Sequence, residues 1–522
     1  MTACRSPVRG LTLLLLLLAH TDRLAAEPAD SEPAKLVIAH YMTDMVPWTA
    51  RGRLNRWIDP ELADPEGSTA AIGGINQTIP LAPLHLKDAD LSTAVDFEIR
   101  AARQLGIDGF QFYYPLGDNT RALSQTYNRI IGEFLRLSET RHQGFKISVC
   151  LSHPHSASAT DQGQRIELWA PVIRELVEPK RDSVAWLRGP TGSILFYQWV
   201  GDALADGVRH LAQTPEQLRQ VSAAYAALSQ AVGTPIDFVY QVRRPQIDQP
   251  YLDALLGAFP ALWGWTASEE NPEFWDELAR QCHARGVLYT QTVYPDYYTS
   301  KLYRKGAPGH DILSTERALQ LGTGGVERHY RVTDLSGVQV GLYRKAISRR
   351  AHLINYATWN DFPEGHHLAP EQNHNFGPSL LLRHFKKRWQ TGEAEIAVDQ
   401  AIVFYKKYRH DLTPRFETSL KIKSRHQDLA SEDRIELVTL LTAPAEGFLN
   451  GQALGEIPAG FQINSIPSEP GKVSVRLRRD GADVVNFTSP EPITENPLRT
   501  DRLTYSYSNR YREEFDRLFG DK

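Results

Sequence analysis

The sequence predicts an α/β protein: a (β/α)8 TIM barrel over residues 35–392, followed by a small C-terminal antiparallel, β-sandwich-like module over residues 393–496. From Lys35 onwards, short apolar runs alternate with helical segments eight times, and after Gly392 the pattern changes to short strands separated by Pro, Gly and Asn turns. The 522 residues suffice for one large domain and a smaller one. Eight consecutive βα units argue for a closed parallel barrel, because a doubly wound open sheet more often stops at about five to seven strands.

The chain opens with a positive region at Arg5 and Arg9, an apolar run from Leu11 to Ala19 and a small-residue exit at Leu24-Ala25-Ala26. This is the pattern of a signal peptide over residues 1–26, followed by a polar linker over 27–34 that contains Glu27-Pro28-Ala29-Asp30. The expected location is secreted or periplasmic. Cys4 precedes the apolar run, which disfavours a lipoprotein, and no later stretch reaches the length of a membrane span.

The predicted strands are Leu36–Met42, Ile107–Tyr114, Lys146–Leu151, Ser193–Gln198, Ile236–Gln241, Ala261–Trp265, Val287–Thr292 and Leu353–Trp359. Helices are expected at Leu91–Leu105, Pro215–Val232 and Pro272–Arg285; in the last, Phe274, Leu278 and Cys282 recur at helical spacing before a Gly286 stop. Two irregular insertions, Thr43–Asp90 and Tyr298–Val338, follow strands one and seven, which puts both on the barrel face where sites are built. Beyond the barrel, strands are expected at Val403–Tyr405, Ser419–Ile422, Ile435–Leu441 and Val473–Leu477, with a turn at Leu449-Asn450-Gly451. Residues 497–522, with Tyr505, Tyr507 and Tyr511, read as a closing helix or tail. Cys150 and Cys282 read as two isolated, inert thiols.

Composition narrows the function. The formal net charge is -4, from 58 basic and 62 acidic side chains, so nothing points to nucleic acid or an anionic membrane as partner. No obligate protein partner is evident. No Gly-rich phosphate loop and no Gly-x-Ser-x-Gly elbow occurs, which weakens nucleotide enzymes and serine hydrolases. The 10 Trp and 21 Tyr supply flat rings of the kind that stack on sugars or fill cores.

Strand C-terminal ends carry chemistry in barrels. The end of strand eight reads Thr358-Trp-Asn-Asp-Phe-Pro-Glu-Gly-His-His367, with Asp361 and Glu364 three residues apart and Trp359, Asn360 and His366 around them. Hydrolysis of a glycosidic bond needs one carboxylic acid for the leaving oxygen and one carboxylate to activate water or attack carbon. An Asp that caps the next helix beside a solvated Glu is the alternative, and spacing alone does not choose between them.

This stretch resembles the Thr-Trp-Asn-Asp-Tyr-Gly-Glu-Ser-His signature of glycoside hydrolase family 71, the α-1,3-glucanases. Val37–Met42, Gly106–Phe110 and Leu440–Pro444 are similar to that family's first strand, second strand and β module. The resemblance implies an inverting endo-α-1,3-glucanase with Asp361 and Glu364 as the catalytic pair; Glu364 is expected as general acid and Asp361 as base, an assignment the resemblance leaves open. Inversion in turn implies carboxyl groups about 6.5–9.5 Å apart. The sequence departs from the signature at Pro363 and at Gly365-His366-His367. The first half, especially Pro80–Leu84, also looks like the family 99 endo-α-mannosidases, so an α-mannosidase is one alternative and a non-catalytic polysaccharide-binding protein another.

Further substrate-binding candidates come from the other strand ends: His40, Tyr113, Tyr114, Gln198, Tyr240, Gln241, Trp263, Trp265 and Tyr294, with Asp118 as a third carboxylate just beyond strand two. Asp108, near the start of its strand, reads as structural. His153-Pro-His155 and His366-His367 lack a third ligand at helical spacing, so no metal and no cofactor is assigned.

Overall fold

Leu36–Tyr41 (β1) is the first strand of a closed parallel barrel that runs through Gly109–Pro115 (β2), Lys146–Ser152 (β3), Ile194–Trp199 (β4), Ile236–Gln241 (β5), Ala261–Trp263 (β6) and Leu288–Val293 (β7). The computed structural model describes residues 35–48, 55–86, 89–266, 268–307 and 311–520. The signal-peptide and linker expectations for residues 1–34 lie outside them. After β7 the chain makes an excursion through Tyr303–Arg304 (β8) and Val326–Tyr330 (β9), and the eighth barrel strand is Leu353–Tyr356 (β10). It pairs in parallel with both β7 and β1, for instance Val37 with Ile354 and Asn355 with Thr292, which closes the barrel and excludes the open sheet.

The helices begin and end where their caps are. Leu81–His85 (α1) is short; Leu91–Leu105 (α2) starts at Asp90, whose carboxylate accepts from Thr93 N, and stops at Gly106 with φ 102°. Thr120–Thr140 (α3) and Gln162–Val177 (α4) follow. Pro215–Val232 (α5) has Thr214 as N-cap, Pro215 in its first turn and Gly233 at its end. Gln249–Ala258 (α6), Pro272–Arg285 (α7), Thr315–Gly325 (α8), Gly337–Ser348 (α9) and Gly377–Thr391 (α10) complete the series. The layer between helices and barrel is one apolar cluster holding Val95, Ile99, Phe110, Phe112, Phe134 and Leu382, each contributing about 1.5–3 kcal/mol by leaving water. A separate cluster of Ile38, Tyr197, Val239 and Trp263 fills the barrel interior.

The C-terminal strands are Gln400–Lys406 (β11), Ser419–Ile422 (β12), Arg434–Leu441 (β13), Ala445–Leu449 (β14), Gln452–Ile457 (β15), Gly460–Pro467 (β16), Ser474–Arg479 (β17), Ala482–Thr488 (β18) and Thr504–Ser508 (β19). Two four-stranded antiparallel sheets, β16-β13-β11-β19 and β15-β14-β17-β18, share a core of Val403, Leu437, Leu449, Val475 and Leu477. Asn450 (φ 50°) and Gly451 (φ 79°) form the two-residue turn between β14 and β15.

Two assignments differ from the sequence reading. Ser419–Ile422, expected in the module, pairs in parallel with β9 of the excursion, in a three-stranded sheet with β8. Of the closing helix or tail expected over 497–522, the structure has the helix, Tyr511–Phe519 (α11), which packs Phe515 and Phe519 on the barrel's helix layer, and adds β19, an integral module strand beside β11. Cys150 and Cys282 are buried and free. Asp108 accepts from Val37 N and pairs with Lys386, tying β1, β2 and α10 together.

Candidate active site

Strand parity sorts the candidates, because successive side chains point to opposite faces. His40, Tyr113, Gln241, Trp263 and Trp265 have the parity of the interior residues Ile38, Val239 and Ala261. Tyr114, Gln198, Tyr240 and Trp359 turn instead towards the helices. Tyr114 donates to Asn128 on α3, Tyr240 donates to Asp202 while stacking on Phe259, and Trp359 Nε1 donates to Glu98 on α2 at 2.6 Å. Gln198 accepts from Gly201 N beside Tyr225 of α5. These four, expected to bind substrate, are held in the helix layer or against it.

Trp263 has the inward parity but is fully buried below the mouth, its indole N–H donating to Gln198 O. Tyr294 is buried and donates to Glu269, and Gln241 accepts from Val200 N. Asp118 is exposed and organises the loop after β3 by accepting from Ala157 N, Ser156 Oγ and Ser158 Oγ.

The turn after β10 is locked from several sides. Thr358 Oγ1 accepts from Asp361 N, Trp359 N donates to His40 O, and Asn360 Oδ1 accepts from Met42 N at 2.7 Å, which ties the turn to β1. Phe362–Glu364 form one 3-10 turn that ends at Gly365 with φ 74°. Ser300 N and Tyr298 N, from the excursion after β7, donate to Pro363 O and Glu364 O. A Cβ at position 365 would meet Tyr298 O at 2.7 Å, so glycine is required there.

The fixed turn presents Asp361 and Glu364 to one imidazole. His366 Nε2 lies 3.1 Å from Glu364 Oε2 and 3.5 Å from Asp361 Oδ2. Its Nδ1 donates to Ala357 O at 3.1 Å, so Nε2 donates only when the ring is cationic. Burial opposes that charge, yet the hydrogen bonds and charges of the two carboxylates raise His366 to about 9. On the other side of Glu364, Lys301 Nζ stands 2.5 Å from Oε1. Burial alone would raise the Glu364 carboxyl; the Lys301 ammonium and His366 outweigh it and hold the group well below the usual carboxylate range. One oxygen of each carboxylate lies within 4.8 Å of the other. Asp361 Oδ1 is buried without a hydrogen-bond partner.

Around this core stand rings at edge-on and tilted angles. Trp265 meets His40 at 5.0 Å, His366 at 5.9 Å and Trp199 at 5.7 Å; Tyr297 meets His366 at 5.6 Å, and Tyr113 meets His40 at 6.1 Å. His40 is lowered to about 4 by burial, with the His366 charge acting in the same direction against Asp361. Thus His40, Tyr113, Trp265, Asn360, Asp361, Glu364 and His366 come together, whereas Tyr114, Asp118, Gln198, Tyr240, Trp263, Tyr294 and Trp359 serve other contacts. Sequence reasoning missed Lys301, Tyr297 and Tyr303. Burial first, then the Glu364 charge, raises both phenols. The signal available was the insertion Tyr298–Val338 itself, which contains two of the three. The Asp361, Glu364 and His366 trio has the spacing of metal ligands, but the Lys301 ammonium already supplies the cation there.

Residues 342–511 match the family model for glycosyl hydrolase family 71, a region that contains β10, the Asp361–Glu364 turn and the C-terminal sheets. The likeness read from the strand-eight motif is borne out by this match. No curated protein matches the chain. Among solved structures, the chain is similar to the GH99 endo-alpha-mannosidase from Bacteroides thetaiotaomicron, with 13% identity, 67% of this chain and 97% of that chain covered and a TM-score of 0.44. It is also similar to a glycosyl hydrolase family 2 member from Bacteroides cellulosilyticus DSM 14838, with 11% identity, 87% and 46% coverage and a TM-score of 0.40.

Proposed function

We propose that this chain is an exported glycoside hydrolase that cleaves α-glucosidic bonds within a polysaccharide, α-1,3-glucan by its resemblance, with Asp361 and Glu364 as the reacting pair. The observation that carries the reading is the pair itself: two carboxylates on one rigid turn at the end of the eighth barrel strand, inside the family-matched region and bridged by His366. Two carboxyl groups flanking a scissile bond are what glycoside hydrolysis requires.

The electrostatics favour a revision of the roles. Glu364, gripped by Lys301 and His366, stays ionised and suits attack on carbon or activation of water. Asp361, whose Oδ1 is buried without a hydrogen-bond partner, is then the carboxyl left to face the leaving oxygen. Glu364 held ionised can attack carbon, which gives retention, or activate water, which gives the inversion implied by resemblance, and the stereochemistry of the product decides between them. Trp265, Trp199, Tyr113 and Tyr297 offer the stacking faces and hydroxyls for sugar rings.

Incubating the purified protein with a panel of α-glucans and α-mannans and mapping the products tests the reading. Oligosaccharides released from α-1,3-glucan support it. Release from α-mannan alone replaces the glucanase by a mannosidase, and binding without release makes it a binding protein.

A further inference from the structure

His366-His367 carries no third ligand at helical spacing in a helix, yet Glu371 lies four residues after His367 and His374 three residues after that. The turns between β10 and α10 fold these three together. Glu371 Oε1 stands 3.1 Å from His374 Nδ1 and 3.6 Å from His367 Nε2, and the three side chains are 0%, 4% and 0% exposed. The rings of His367 and His374 are 5.0 Å apart.

The hydrogen bonds do not account for this cluster. Neither nitrogen of His367 has a hydrogen-bond partner, and neither does Nδ1 of His374. The 3.6 Å gap from His367 to Glu371 is too long for a hydrogen bond. A neutral imidazole buried with both nitrogens idle is costly unless something else occupies the space it faces. Two ligands on one tetrahedral ion, at bond lengths of about 2.0–2.2 Å, stand about 3.3–3.6 Å apart; the His367–Glu371 separation of 3.6 Å falls in that range and the His374–Glu371 separation of 3.1 Å just below it.

The surroundings fit a bound cation as well. His374 Nε2 lies 3.2 Å from Asp296 Oδ2, so this carboxylate holds the Nε2 proton and leaves Nδ1 to face Glu371 Oε1. Glu371 Oε2 accepts from Thr78 Oγ1 and Asn373 N, while Oε1 accepts from His374 N and has its second lone pair for the imidazoles. Asp296 in turn accepts from Thr504 N of β19 at 2.6 Å.

We propose that His367, Glu371 and His374 form a binding site for one divalent transition-metal ion, zinc by its two-imidazole, one-carboxylate donor set. The site lies immediately after the catalytic turn and is anchored through Asp296 to the C-terminal sheet, so the ion pins that turn to the β module. It touches none of the groups proposed to react with sugar, and its existence does not depend on the substrate.

The test uses the full chain, saturated with zinc sulfate and then dialysed against metal-free buffer, with metal content read by mass spectrometry. One zinc per chain is expected, removed by chelator with a fall in Tm of about 3 °C or more. His367→Ala and Glu371→Gln, checked for folding by circular dichroism, should retain at most about a tenth of the wild-type zinc. Folded wild-type protein without zinc, with a Tm that chelator does not move, overturns the proposal. So does a folded Glu371→Gln variant that keeps its full complement. Where a variant does not fold, the wild-type stoichiometry and chelation shift decide.

Discussion

Lys301 Nζ stands 2.5 Å from Glu364 Oε1, joining two residues 63 positions apart on separate excursions from the barrel. An ammonium at that distance in a buried site stabilises the carboxylate far more than its acid form. Glu364 therefore enters the reaction charged, and the acid limb of the pH profile belongs to the pair that Lys301 sets.

Replacing Lys301 by Met removes that charge. A buried carboxylate without its cation rises by about 1–3 pKa units, so the acid limb of kcat/KM should move to higher pH by a similar amount. His366, raised to about 9 by the two carboxylates, loses the proton that lets it bridge the pair as pH passes that value in the wild type. An acid limb unmoved in Lys301→Met, measured from pH 3 to 10, removes Lys301 from the mechanism.

Gly365→Ala tests the turn rather than the chemistry. The new Cβ would sit in a left-handed conformation and within 2.7 Å of Tyr298 O and 2.9 Å of Tyr298 N. Strain of this kind costs about 1–3 kcal/mol before any clash is relieved. Thermal unfolding should show a lower Tm, and turnover should fall because both carboxylates hang on this turn.

Glu98 gives the fold a pH signature of its own. Burial pushes its carboxyl up to about 7, against the hydrogen bond donated by Trp359 Nε1. The folded state therefore binds the proton more tightly than the unfolded chain, and stability falls as pH rises from the unfolded value through about 7. A shift of this size corresponds to about 3 kcal/mol. In Glu98→Gln that loss should vanish, so its Tm at pH 8 relative to pH 5 should drop less than the wild type's.

What the sequence made legible depended on whether the signal was local. Asp90, Thr214, Gly233 and Gly286 announce helix ends through their own chemistry, and the predicted helix bounds coincide with those of α2, α5 and α7. Asp361 and Glu364 were visible because four consecutive residues hold the whole pair. Parity was readable only once the barrel interior was known: Tyr113 and Tyr114 look alike in sequence, yet one faces His40 and the other Asn128. Lys301, Asp296 and the β9 partner of Ser419–Ile422 were illegible, because contacts between distant loops obey no spacing rule. Glu371 and His374 follow His367 closely in sequence, but turns rather than a helix bring them together, so helical spacing does not reveal them.

Trp263 and Trp265 should separate cleanly on mutation. Trp263 is fully buried with a hydrogen-bonded indole, so Trp263→Ala should cost about 3–5 kcal/mol of stability. Trp265 is partly exposed between His40, His366 and Trp199. Trp265→Ala should leave Tm nearly unchanged and weaken polysaccharide affinity about 10-fold, the loss of one ring contact. Equal affinity in a binding titration would return Trp265 to the core.

The carboxylates themselves carry the sharpest expectation. Asp361→Asn and Glu364→Gln should each lower kcat by about 10²–10⁴-fold while keeping the fold. Their chemistry then differs in a way that product analysis can read. If Glu364 is the nucleophile, azide should restore turnover in a Glu364→Gly variant by taking its place at carbon, yielding the glycosyl azide of opposite configuration. The wild type should then release the sugar with its anomeric configuration retained in proton NMR of the first product. Inverted product would remove the covalent step and make Glu364, held ionised by Lys301, the base that activates water.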